Sequence, residues 1–143
     1  MEIESDFGHW LAGFIAGEGC FSITKSGNRH ICEFRLSLRD DDGPIIEEIQ
    51  NRLGIGSVTA INAQGQSKPM VAWIVRRKEE TLVLVSILDK FSLRAKKAKD
   101  YTIWRRAVFA WAAMDLDRVA NLYEELKVAR SYEASQPTKL RVA

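Results

Sequence analysis

Apolar residues recur every three to four positions in some stretches of the chain and every second position in others, and the switch between periods predicts its elements. Residues 7–17 are apolar almost throughout. They predict a first helix starting at Ser5 or Asp6, either a fair N-cap, and ending at Gly17 or Glu18. Gly19 follows where a left-handed residue commonly ends a helix. In CFSITKSGNRHICEFRLSLR the period becomes two on both sides of Ser26-Gly27-Asn28-Arg29, which predicts a β-hairpin with Gly27-Asn28 at its turn. Centring the turn there pairs Ile23 with Cys32 and Phe21 with Phe34. One face then carries Phe21, Ile23, Cys32, Phe34, Leu36 and Leu38. The other carries Ser22, Thr24, Ser26, Arg29, Glu33, Arg35, Ser37 and Arg39, with Ile31 the exception. Asp40-Asp41-Asp42-Gly43-Pro44 stops the strand and opens a second helix, IIEEIQNRL, with Asp42 or Gly43 as N-cap. Gly54 and Gly56 close it. SVTAIN and PMVAWIVR predict a second hairpin across AQGQSK, followed by a third helix from about Lys78 to Phe91. Helical periodicity returns in SLRAKKAKDYTIWRRAVFAWAAM and in DLDRVANLYEELKVARSYEAS.

The order is α-β-β-α-β-β-α with extra C-terminal helices, an α+β class in which antiparallel strands carry helices on one face. Residues 1–135 read as one domain, and 136–143 (QPTKLRVA) as a flexible tail. The outward face of such a sheet meets water or a partner. The first helix poses a sharper question. Three glycines, Gly13, Gly17 and Gly19, surround Glu18, although an interior helix glycine costs about 1 kcal/mol relative to alanine. A carboxylate at the negative end of a helix costs about 0.3–1 kcal/mol more. At about 100° per residue, Ala12, Gly13, Ala16 and Gly17 make a small-residue side, while Phe7, Trp10, Leu11, Phe14 and Ile15 make a bulky one. The helix therefore reads as buried all round. Its small side suits the close approach of a second backbone. No later helix repeats the pattern, so the economical partner is the same helix of a second copy across a two-fold axis. Two Glu18 carboxylates would then converge, and a divalent cation such as Mg²⁺ would relieve their repulsion.

Composition narrows the setting. At 46% hydrophobic and 28% charged the chain is an ordinary globular one. No apolar run approaches the roughly 20 residues that span a bilayer, and the acidic N-terminus lacks the basic region of a secretory leader. The expectation is an intracellular protein without a membrane partner or small-molecule cofactor. Cys20 lies opposite Arg35 in the predicted hairpin, so it and Cys32 are not disulfide partners. The net charge of +2 hides an uneven distribution. Ten Lys/Arg stand against four acids between Arg76 and Arg106, and four against one between Lys25 and Arg39. Such segments favour a nucleic-acid partner.

Leu11-Ala12-Gly13-Phe14-Ile15-Ala16-Gly17-Glu18-Gly19 resembles the nonapeptide of the LAGLIDADG homing endonucleases. The αββαββα order, the LGIGSV step after the second helix and the basic LRAKKAKDY stretch are also similar to that family, over roughly residues 7–112. The resemblance implies a four-stranded, saddle-shaped antiparallel sheet laid in the major groove of double-stranded DNA. It also implies a homodimer on a near-palindromic site and Mg²⁺-dependent phosphodiester hydrolysis. Glu18 occupies the family's metal-binding catalytic position, one methylene longer than the usual Asp. Ala16 stands where an acid is usual, a position not normally a metal ligand. The family's basic catalytic residue falls at Lys96, with Lys97 close behind, and Arg39 loosely matches the polar residue that ends the second strand. Ala12, Gly13, Ala16 and Gly17 would form the dimer interface. Ser22, Thr24, Ser26, Arg29, Glu33, Arg35 and Ser37, with Ser57 and Thr59 from the second hairpin, would read base edges. A non-cleaving nucleic-acid binder of the same fold, such as an RNA-splicing cofactor or DNA-binding regulator, is the alternative. A small dimeric interaction protein is a further one.

Overall fold

Both hydrophobic periods become elements in a computed structural model of the chain, which describes residues 2–131. Helix α1 (Ser5–Glu18) runs into β1 (Gly19–Ser26) and β2 (Arg29–Arg39), and a 3-10 turn at Asp40–Asp42 leads to α2 (Gly43–Leu53). The second hairpin, β3 (Ser57–Ile61) and β4 (Met70–Val75), is followed by α3 (Lys78–Lys90), α4 (Ala95–Ala112) and α5 (Leu116–Ala129). The tail expected at 136–143 lies outside the described residues. No helix among the described residues is long and apolar enough to cross a membrane.

The four strands form one antiparallel sheet in the order β1-β2-β4-β3. Phe21 pairs with Phe34 and Ile23 with Cys32, the register that the turn predicts. Gly27 supplies it with a φ of +61°, as a two-residue turn with glycine first requires. The inner face of the sheet carries Phe21, Phe34, Leu36, Trp73 and Val75 into a core closed by Leu11, Ile15, Ile46, Leu84 and Trp104. Phe21 centres an aromatic cluster, with its ring centroid 5.0 Å from those of both Phe34 and Trp104. A buried indole N–H left unpaired would cost about 1–3 kcal/mol. Trp104 Nε1 avoids this by donating to the Ser22 carbonyl at 3.0 Å, and Trp73 Nε1 by donating to that of Ile55 at 2.9 Å.

The C-terminal helices also finish the sheet's β1 edge. Besides Trp104, Lys97 Nζ donates to the Gly19 carbonyl, and Arg130 Nη1 donates to that of Phe21 at 3.0 Å. Three carbonyls of an edge strand thus accept side-chain donors from α4 and the end of α5. Cys20 and Cys32 are both free thiols, and burial pushes that of Cys32 up to about 12. Between α3 and α4, Asp89 accepts from Tyr101 Oη at 2.7 Å and from Arg105 Nε at 2.9 Å. Burial pushes the Asp89 carboxyl upward, but the hydrogen bonds from Arg105 and Tyr101 outweigh it and hold the group below its ordinary value.

Several boundaries differ from the sequence expectation, two of them for packing reasons. Gly19 is extended, with φ −79° and ψ 159°, rather than left-handed. Glycine is needed there for room, because a Cβ would lie 2.8 Å from the Phe34 ring and 2.9 Å from the Ile15 carbonyl oxygen. Helix α1 is preceded by Glu4, not Ser5 or Asp6, at its N-cap, with no side-chain cap. Helix α4 starts at Ala95 instead of Ser92, since Phe91 and Leu93 are both buried and two positions apart, the spacing of extended chain. Helix α1 is not buried all round. Its core side is Gly8, Leu11, Ala12 and Ile15, whereas Trp10 is 39% exposed. The cause is Gly8, which lies so close to Phe91 that a Cβ would sit 2.4 Å from its ring.

Candidate nucleic-acid interface

Because paired residues in an antiparallel ladder share a face, the register assembles the outer surface of the sheet. Ser37, Ala72 and Thr59 line up across β2, β4 and β3, as do Arg35, Ile74 and Ser57. On β1, Ser22 pairs with Glu33, Thr24 with Ile31 and Ser26 with Arg29. The sequence-predicted base-reading residues therefore do lie on one surface. That surface is not polar throughout: β4 contributes Met70, Ala72 and Ile74, of which Ala72 and Ile74 are buried beneath their neighbours. Thr24, Ser26, Arg29, Ser57 and Thr59 are exposed, and Arg35 and Ser37 half-buried. The Ser22 hydroxyl donates to the Glu33 carbonyl at 3.3 Å.

Glu33 is the most enclosed charge on this face, its side chain only 12% exposed. One carboxylate oxygen lies 3.0 Å from Arg76 Nη2 and the other 4.0 Å from Arg35 Nε. Arg76, absent from the sequence-derived site, belongs to the same surface. Val75 pairs with Phe34, so the next residue falls beside Glu33.

At the N-terminal end of β1 lies a corner that holds Glu18 and Lys97. Glu18 is the exposed last residue of α1. Lys97, from the first turn of α4, reaches the carbonyl of the adjacent Gly19 and brings a cation to the negative end of α1, a favourable placement. Lys96 is exposed one residue earlier in α4. Arg39 is set apart from the corner: Gly19 pairs with Leu36, three residues before it, and its guanidinium lies 3.8 Å from Asp41. Along α1, Gly13 and Gly17 are exposed, and a Cβ added at either would meet nothing within 4 Å. Ala16 is half-buried beside them, whereas Ala12 faces the chain's own core at 4% exposure.

Helix α1 thus presents a smooth stripe and a terminal carboxylate beside an αββαββα sheet whose outer face is part polar and part apolar. Residues 11–108 match the family model of the LAGLIDADG endonucleases, and the chain belongs to that family. Its relatives include a probable intron-encoded endonuclease, Cox1-I1b, of Schizosaccharomyces pombe, 34% identical over 71% of this chain. Probable intron-encoded endonuclease 4 of Neurospora crassa is 29% identical over 73% of it. The chain spans only 27% and 18% of those two relatives' own lengths. Among solved structures, the fold resembles the archaeal intron-encoded homing endonuclease I-Vdi141I in complex with DNA. The TM-score is 0.75 at 22% identity, over 90% of this chain and 87% of that one. The LAGLIDADG meganuclease I-AabMI, bound to uncleaved DNA, gives a TM-score of 0.74 at 23% identity, over 88% of this chain and 46% of that one.

Proposed function

We propose that the chain is a site-specific double-strand DNA endonuclease, active as a homodimer on a near-palindromic site and dependent on a divalent cation. The observation that carries this reading is helix α1, which buries one side in the core and leaves Gly13, Gly17 and Glu18 together in the open. Two such stripes packed across a two-fold axis would bring two Glu18 carboxylates to one place.

Oxygen donors of that kind suit Mg²⁺. One chain supplies only part of a shell, since no three Asp, Glu, His or Cys side chains gather among the described residues. A second Glu18, phosphate oxygens and water would complete it. The cation would supply an activated water and charge neutralisation at the phosphate. Lys97, already held beside Glu18 at Gly19, is the better placed of the two lysines to stabilise developing negative charge. Thr24, Ser26, Arg29, Arg35, Ser37, Ser57 and Thr59 would meet base edges, and Lys96 and Arg39 would contribute phosphate contacts.

The test is recovery of cleaved sequences from a randomised duplex library with Mg²⁺, run beside Glu18→Gln. Wild type should cut a near-palindrome, while the variant binds the same duplex and does not cut. An active variant would remove Glu18 from the chemistry. Wild-type binding without cutting would favour the splicing cofactor or regulator, and no duplex binding at low salt the interaction protein.

A further inference from the structure

We infer that Arg76 reads a base on the outer face, and that Glu33 is a positioning residue for Arg76 and Arg35 rather than a reader itself. This rests on the DNA-binding reading above. The cluster sits where β1, β2 and β4 meet, flanked by Ser22 on one side and Ile74 on the other. Each oxygen of Glu33 faces a different guanidinium, and the carboxylate is largely enclosed. A cytosine amino group would therefore have to displace an arginine to reach it. The arginines are placed differently: the Arg76 side chain is 53% exposed and that of Arg35 41%.

Stability alone does not account for this arrangement, because enclosing a carboxylate carries a desolvation cost that offsets its attraction to the two arginines. Positioning does. A guanidinium has five N–H donors in a fixed fork, so a pair that occupies one edge leaves donors free for another acceptor. A carboxylate 3.0 Å from Arg76 restrains that side chain before DNA arrives, which lowers the ordering cost of binding, and it draws Arg35 toward the same place from 4.0 Å. The acceptor that matches a preset fork on this face is the major-groove edge of guanine, with N7 and O6 side by side. The two arginines share one negative charge, so the cluster keeps a net positive charge toward the duplex.

The experiment compares wild type, Arg76→Ala, Arg76→Lys and Glu33→Gln on the duplex selected from a random library and on duplexes changed one base pair at a time. Arg76→Ala should weaken the selected duplex roughly 10- to 100-fold and abolish discrimination at one G·C pair per half-site. Arg76→Lys keeps the charge but not the fork. It should lose the same discrimination while retaining affinity for unrelated duplexes. Glu33→Gln should blur preference at the positions read by Arg76 and Arg35 and leave the others sharp. Three results would overturn the inference: no effect of Arg76→Ala, an equal loss on every duplex with a salt slope lower by about one, or a Glu33→Gln change confined to a single cytosine. A wild type that selects no duplex sinks the DNA reading and this inference together. Selection by wild type and Arg76→Ala alike sinks this inference only.

Discussion

On one side of helix α1, a methyl group added at Gly8 would lie 2.4 Å from the buried Phe91 ring; on the other, one added at Gly13 or Gly17 would meet nothing within 4 Å. The same residue type thus serves two needs within three turns. Gly8 lets the chain's own interior close, as no side chain fits between α1 and the residue after α3. Gly13 and Gly17 pack against nothing among the described residues, yet each gives up about 1 kcal/mol of helix propensity relative to alanine. Glycine content therefore marks close approach without saying to what. Only the surroundings divide a glycine packed inside the chain from one left open on its surface.

The strongest challenge to this contrast comes from the core side. Overpacking a well-filled site costs about 1–3 kcal/mol, so Gly8→Ala should lower the unfolding free energy by that amount in urea titrations. An unchanged midpoint would mean the Phe91 ring yields freely. Next comes the open side. Gly13→Leu should leave the secondary structure intact by circular dichroism yet shift sedimentation toward the monomer, and a persistent dimer would move the interface elsewhere. The smallest effect concerns the frame that holds Phe91. Asp89, two residues earlier, is clasped by Arg105 and Tyr101 with its pKa below the ordinary carboxylate value. A carboxylate depressed in the folded state contributes fully above its unfolded value, near 3.9, and loses that contribution as pH falls through the folded one. Wild-type stability should therefore fall more steeply below about pH 4 than that of Asp89→Asn. The difference is at most about 1 kcal/mol, because the pair is partly exposed. Parallel acid limbs would show that the clasp is energetically silent.

Most of the architecture was legible because its signals are local. The alternation around Gly27-Asn28 fixes which of Phe21, Ile23, Cys32 and Phe34 face inward, and a single register carries that across β2. What stayed hidden depends on contacts between distant segments. The run MVAWIV is apolar at every position, so alternation assigns no face to β4, and Arg76 beyond it has no visible side. The buried apolar residues Ala72 and Ile74 on the outer surface were hidden for the same reason. Gly8 looks like any helical glycine until Phe91 is placed beside it. The choice between Lys96 and Lys97 turns on where α4 begins, and that depends on Phe91 and Leu93 both being drawn into the core.

The two borders of the sheet are finished unequally. Along β1, side chains from Lys97, Trp104 and Arg130 donate to backbone carbonyls of the strand, so α4 and the end of α5 tie this border to the rest of the chain. Along β3, with Ser57 to Ala60 all exposed and Val58 37% so, the rim is five residues long and has no second strand beside it among the described residues. A five-residue rim is a poor template for an added strand. A sheet tied down along one border and short along the other resists lengthening at both, by packing at β1 and by brevity at β3.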